Sequence, residues 1–317
     1  MTAGGKPWPK ALVLGIVSSA FFSVTYVLNT AMALGGGDWM WSASLRYLWM
    51  LPMLLLLNLP GGGLKTVWRE VGRSPWRWLL WSLVGFGAFY APLSFASAYG
   101  PSWMVAGTFQ FTILAGALET PLFRDAGGKR GKIPLRLLPA FLVILLGVFL
   151  LQAEQMGQGE WGAALLFAAP VLLSAFAYPL GNRKTMELCE GRLTTAQRML
   201  AMTVCSLPLW LLLSAAALWR GGPPSPGQVG QSLAVALFSG LIATLLFFQA
   251  TQLVRRDPQR LALVESCQCG EVLFSALGGI LLLHEPWPSL SGWVGLALVV
   301  GGMVANALLT ARSPQSP

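Results

Sequence analysis

Ten runs of about twenty apolar residues, joined by short connections, leave this chain few structures to adopt. They cover positions 10–34, 39–59, 76–99, 102–123, 135–152, 161–181, 194–219, 232–254, 261–283 and 290–310. A helix needs roughly 20 residues to cross the hydrocarbon of a bilayer. In that medium every backbone N–H and C=O must be bonded internally, which open strands cannot do. No ten-residue alternation of apolar and polar residues points to a barrel. The reading is an all-α integral membrane protein with ten transmembrane helices. Only 10 % of the 317 residues are charged and the mean hydropathy is +0.63, whereas soluble domains carry about 25 % charged residues.

A net charge of +9 would suit an acidic partner if the basic residues were gathered on one surface, but they sit in the connections. With a cytoplasmic N-terminus, the inside segments hold Lys6 and Lys10; Lys65, Arg69, Arg73 and Arg77; Arg124, Lys129, Arg130, Lys132 and Arg136; Arg183, Lys184 and Arg192; Arg255, Arg256 and Arg260; and Arg312. That is 18 of the 21 basic residues. The outside connections hold only Arg220, beside Asp38, Glu154 and Glu160. This bias places both termini in the cytoplasm of a multi-pass cell-membrane protein. The lipid bilayer is its partner, and nucleic acid is not. The first run is too long for a cleavable signal and lacks a small-residue cleavage site.

Five runs lie on each side of 152–160 (QAEQMGQGE), so the chain divides into repeats 1–152 and 153–317. The halves look alike. Tyr26 with Asn29 in the first run matches Tyr178 with Asn182 in the sixth; Arg46 before Pro52 matches Arg198 before Pro208. The fourth run ends Glu119-Thr120-Pro121 and the ninth runs into Glu285-Pro286. An odd number of spans per repeat makes the second half enter the membrane from the opposite side. Inverted repeats of this kind let a carrier exchange inward-open and outward-open states.

The ninth run, LALVESCQCGEVLFSALGGILLL, carries two carboxylates. One at the bilayer centre costs at least about 2.5 kcal/mol. At 100° per residue, Glu265, Gln268, Glu271 and Ser275 fall in one arc of about 120°, opposite Leu273, Leu277 and Ile280. So costly a stripe must face protein or water. A carboxylate that takes or sheds a proton as a cavity opens is the simplest coupling device. The alternative is a structural ion pair, with Arg46 the nearest partner by depth. Arg46 itself reads either as an anion site or as a fixed counter-ion. Tyr26, Asn29, Gln110, Tyr178 and Gln249 are candidate lining residues, or hydrogen-bonding links between helices. Phe22, Phe89, Tyr90 and Phe109 offer stacking surface or plain packing. Trp8, Trp39, Trp76, Trp161, Trp219 and Trp287 lie at run ends, as an interfacial belt does.

Other chemistries are excluded. The single histidine, His284, and four scattered cysteines give no metal cluster, and Cys267 and Cys269 point about 200° apart on a helix. Gly157, Gly159 and Gly162 have dinucleotide-loop spacing, but no strand precedes them. No Gly-Lys-Ser/Thr loop is present for ATP hydrolysis, so neither a cofactor nor a catalytic residue is expected. A polytopic membrane enzyme, the alternative of another class, would need a Ser–His pair at one depth; a channel fits short loops and inverted halves poorly.

The SLRYLW segment around Arg46, the Leu283-His284-Glu285-Pro286 corner and the layout of five plus five runs carry a resemblance. Over essentially its whole length the chain resembles the drug/metabolite transporter superfamily of the ten-helix EamA type, and within it the multidrug-resistance efflux transporters. The resemblance implies a secondary transporter exporting small organic molecules by alternating access, driven by protons or another solute, as a monomer or homodimer. A metabolite or amino-acid exporter is the alternative within the superfamily. One departure stands out: His284 occupies the position where the family usually has glycine.

Overall fold

The computed structural model describes residues 7–123, 130–156, 161–254 and 258–311. The segments carrying Lys6, Arg124, Lys129, Arg255, Arg256 and Arg312 lie outside the described residues, as do Gly157, Gly159 and Glu160. The described elements are all helical. In chain order they are α1 (Pro7–Leu34), α2 (Trp39–Asn58), α3 (Gly63–Arg73), α4 (Pro75–Ala96), α5 (Ser102–Leu118), α6 (Leu138–Met156), α7 (Trp161–Cys189), α8 (Thr195–Gly221) and α9 (Pro226–Val254). There follow α10, built of Pro258–Ser266, a 3-10 turn Cys267–Cys269 and Gly270–Leu283, and α11 (Leu290–Ala311). Among the described residues eight helices are long and apolar enough to cross a membrane; α5 is shorter, and α7 runs for 29 residues.

Several ends are set by local chemistry. Asp38 caps α2 by accepting from the Met40 N–H at 2.7 Å. Thr194 and Gln197 form a reciprocal capping box at the start of α8. Ser225 accepts from the Gln228 N–H at 3.1 Å ahead of α9, whose first residue is Pro226, a position where a missing N–H costs nothing.

Three features differ from the sequence reading. The connection at 60–74 contains α3, an amphipathic helix that the apolar runs do not announce. The fourth run is not one continuous helix; α5 breaks at Gln110–Phe111 and is followed by a 3-10 turn, Thr120–Leu122. Finally, α4 and α9 each contain a π-helical stretch, Leu83–Ala88 and Val235–Ala243.

The chain forms two compact units, each drawing on both sequence halves. The first comprises Met1–Val27, Pro101–Ala168 and Phe238–Pro317; the second comprises Leu28–Gly100 and Ala169–Leu237. In the first, α6 and α11 approach through small residues. A Cβ on Gly147 would lie 2.8 Å from the Gly295 carbonyl oxygen, and one on Gly302 would lie 3.1 Å from that of Ala140. Close backbone approach of this kind substitutes for hydrophobic drive between helices in lipid.

In the second unit, α2 packs on α8, where Tyr47 stacks on Trp210 with centroids 4.3 Å apart. Between α4 and α7 the backbones of Gly85 and Gly181 touch; a Cβ on Gly85 would lie 3.1 Å from the Gly181 Cα.

Connections are tied together as well. In the second unit Trp41 Nε1 donates to the Gly222 carbonyl at 3.0 Å, and Gln228 Nε2 to that of Asp38 at 2.7 Å. At other helix ends of this unit, Asn58 Nδ2 donates to the Ala196 carbonyl at 3.3 Å and Arg192 grips Glu70. In the first unit Glu285 meets Ser102, and the Arg260 guanidinium lies 5.7 Å from the Trp8 ring centroid.

Candidate functional site

Glu271 opens the second segment of α10 and is buried, 8 % exposed. Glycines bring α10 and α1 close enough to enclose it. A side chain on Gly270 would strike the Ser19 hydroxyl, and one on Gly278 would lie 2.8 Å from Val27. On the α1 side, a Cβ at Gly15 would stand 3.2 Å from Cys267. This approach sets the Tyr26 hydroxyl against the carboxylate, to which it donates at 3.3 Å. Gln110, at the break in α5, stands beside the same carboxylate. Its side chain is only 3 % exposed, yet its amide nitrogen makes no hydrogen bond of ordinary geometry. The buried Ser275 hydroxyl, one turn along α10, is unpartnered too. Buried polar atoms are rarely left so. The neighbourhood therefore gathers neutral donors around one carboxylate.

The other candidates scatter. Gln268 is half-buried and donates to Ser18 Oγ at 3.4 Å. Glu265 is exposed. The reason is its neighbour: Val264 is fully buried in a cluster with Ala11, Ala250 and Val254, which turns the next residue outward. Gln249 is exposed as well. The structure thus brings Glu271, Tyr26 and Gln110 together and leaves Glu265 and Gln249 out of that group.

The second unit holds its own polar centre. Arg46 is buried, with its guanidinium carbon 4.2 Å from the Tyr90 ring centroid. The Tyr90 hydroxyl and Asn29 amide exchange hydrogen bonds at 3.1 and 3.2 Å, and Asn29 also reaches Ser94 Oγ at 3.4 Å. Tyr178 stands partly exposed against Phe89, centroids 4.8 Å apart.

Two carboxylates outside the spans have structural partners that sequence reasoning missed. Glu285 does not cap its own helix; it caps α5. Its Oε1 accepts from the Ser102 N–H at 2.8 Å and its Oε2 from the Ser102 hydroxyl at 2.9 Å. His284 makes this possible by adopting φ 54, ψ 33, a left-handed turn that folds Glu285 back so that its N–H reaches the Gly279 carbonyl at 3.1 Å. Burial pushes the Glu285 carboxyl above its usual range, against the opposing pull of the Ser102 hydrogen bonds.

Glu70, buried on α3, accepts from Arg192 Nε and Nη2 at 2.8 and 2.7 Å and from Arg73 at 2.9 Å. Hydrogen bonding from Arg192 holds its carboxyl below the usual range although burial works the other way. The sequence signal was present but unread: Glu70 is the only acid in a basic stretch. Glu119 is buried at the end of α5. Among the described residues no three His, Cys, Asp or Glu side chains could hold a metal ion.

A helical, multi-pass apolar chain with a carboxylate buried in one of its apolar helices and hydrogen-bonded by neutral side chains has the makings of a membrane carrier. The profile of the family described as "EmrE: Putative multidrug resistance efflux transporter" matches residues 9–312. The chain belongs to that family of small-molecule efflux transporters, which is not a family of enzymes. It is 48 % identical over 316 residues to "Uncharacterized protein YjlA" of Bacillus subtilis (strain 168), covering 97 % of each chain. It is also 48 % identical over 266 residues to an "Uncharacterized 42.1 kDa protein in intracellular alkaline protease 3'region" of Shouchella clausii, covering 83 % of this chain and 70 % of that protein. A solved structure described only as "Crystal structure of protein" shares the fold, with TM-score 0.60 and 16 % identity over 96 % of this chain and 98 % of the other.

Proposed function

We propose that this protein exports small organic molecules, cationic or amphipathic in character, in exchange for protons across the cell membrane. Glu271 is the shared site, with Tyr26 and Gln110 as its hydrogen-bonding wall and Gln268 at its edge. The observation that carries this reading is a carboxylate buried in a transmembrane helix among the neutral donors Tyr26 and Gln110. A carboxylate held by arginine is fixed in its charged form. One held by neutral groups can pass between proton and substrate at far smaller cost.

The cycle is alternating access by two inverted five-helix repeats, 1–152 and 153–317, with α5 and α7 counted among ten crossings. Irregularities recurring at one spacing support the repeats: Tyr26 and Tyr178, Arg46 and Arg198, and the π-stretch starts Leu83 and Val235 all lie 152 positions apart. The tied connections support the alternation of sides along the chain, while the charge bias alone points to cytoplasmic termini. Each joins segments that the charge bias assigns to the same side, as Glu70 with Arg192 or Asp38 with Gln228.

Proton-driven transport in proteoliposomes tests the site. Glu271→Gln should abolish export that depends on a pH gradient, whereas Glu265→Gln should leave most of it. Full pH-driven transport by the Glu271→Gln protein would remove Glu271 from the mechanism. The buried Arg46 favours a second reading, a substrate bearing an anionic group such as an amino acid. Competition by amino acids against export of an organic cation separates the two.

A further inference from the structure

The helix that the apolar runs did not announce, α3, carries a surface the proposed transport cycle does not use. It is joined to α2 by 59–62 and to α4 by Ser74 alone. Both neighbours are long and apolar enough to cross the membrane, so α3, about 16 Å long, cannot stray far from the bilayer surface. One side is buried through Gly63, Val67 and Glu70. The other presents Lys65, Trp68, Arg69 and Gly72 within an arc of about 100°, all exposed. Beyond the break at Ser74, Trp76 and Arg77 continue that exposed surface. Trp68 is 51 % and Trp76 79 % exposed, high values for such large rings.

Charge on this surface is of one sign. Glu70 is the only acid between positions 60 and 80, and it is turned inward, where Arg192 and Arg73 neutralise it. The outward face keeps Lys65, Arg69 and Arg77 with no carboxylate among them. Basic side chains interleaved with exposed tryptophans, at the ends of two spans, match an interface of phosphate headgroups above acyl chains.

We infer that α3 and the start of α4 form a docking surface for anionic phospholipids of the leaflet they border. The phosphate esters pair with Lys65, Arg69 and Arg77, and the rings of Trp68 and Trp76 settle at the headgroup boundary. The inference needs only a membrane-embedded chain and is independent of the role proposed for Glu271.

The test uses the full-length protein in nanodiscs of phosphatidylcholine with increasing phosphatidylglycerol. Retained lipids are counted by native mass spectrometry after transfer to detergent. The wild type should keep phosphatidylglycerol in preference to phosphatidylcholine. Each charge removed in Lys65→Gln, Arg69→Gln and Arg77→Gln should lower that preference roughly fivefold. Arg220→Gln should not change it, and the charge-keeping set Lys65→Arg, Arg69→Lys, Arg77→Lys should retain it.

Melting in phosphatidylcholine alone reports folding; if the triple variant does not fold, Lys65→Gln with Arg69→Gln carries the same test. An unchanged preference in the neutralised variant would overturn the inference. So would displacement of the lipid by soluble glycerol phosphate at matched concentration, which would make this a phosphate site and not a bilayer contact.

Discussion

The two units of the molecule treat buried charge in opposite ways. Every carboxylate inside the apolar runs, Glu119, Glu265 and Glu271, belongs to the first unit, while the buried arginines among the described residues, Arg46 and Arg198, belong to the second. In the first unit, Glu271 and Glu285 are held by hydroxyls, an amide side chain and a backbone N–H. In the second, Glu70 is held by two guanidiniums and Arg46 lies over an aromatic ring. Neutral donors leave a carboxyl free to change its protonation, while arginine locks it. The proposed proton exchange at Glu271 thus falls in the first unit, and the arginine-held carboxylate Glu70 in the second.

The largest effect to test is on transport itself. Replacing Glu271 by Gln should flatten the pH dependence of export in proteoliposomes, with a loss of at least about a hundredfold. Arg46→Gln should slow export yet leave its pH dependence in place. If Arg46→Gln flattens the profile instead, the division of labour between the units is wrong.

Next comes packing. A methyl on Gly181 falls on the backbone of Gly85, which cannot move aside, so Gly181→Ala should cost about 1–3 kcal/mol and lower the melting temperature. In the first unit, a methyl on Gly270 meets the Ser19 hydroxyl, a group that can rotate. The better helix propensity of alanine, worth about 1 kcal/mol, should then offset part of that clash and leave Gly270→Ala the milder of the two.

Acidity should separate the two carboxylates outside the spans. Glu70 has a lowered folded pKa, so its contribution is present above the ordinary carboxylate value of 4.5 and is lost as pH falls through the folded value. Glu285 has a raised one, so its contribution is fully present below 4.5 and is lost as pH rises through the folded value. Melting curves of Glu70→Gln and Glu285→Gln against wild type, taken across the acid range, should therefore diverge with opposite slopes.

The smallest effect concerns a single backbone angle. His284 is held at φ 54, where a β-carbon costs about 1 kcal/mol. His284→Gly should raise stability by about that amount, a gain readable as a small upward shift in melting temperature. It also accounts for the departure noted at this corner: the position asks for glycine because the chain turns left-handed there, whatever side chain occupies it.

Much of this molecule was legible before any coordinates. The helical, membrane-crossing character follows from run length and from the scarcity of charge. The cost of Glu271 in hydrocarbon marked it for attention, and Tyr26 and Gln110 were among the polar residues singled out. Less legible were α3, whose eleven residues mix Lys65, Trp68 and Arg69 with a thin apolar edge, and the break at Gln110. The partners of Glu285 and Glu70 escaped because Ser102 and Arg192 are 183 and 122 positions away.

Sequence alone determined that the chain is helical and membrane-embedded, since transfer into hydrocarbon sums over neighbouring residues and needs no knowledge of the rest of the chain. Tertiary structure decided which polar groups are enclosed and by what. Glu265 and Glu271 look equivalent on a helical wheel, yet Val264 claims the buried position beside one while Gly270 and Gly278 admit Tyr26 to the other. Enclosure depends on contacts such as that of Tyr26 with Glu271, 245 positions apart, and no local pattern of residues encodes those.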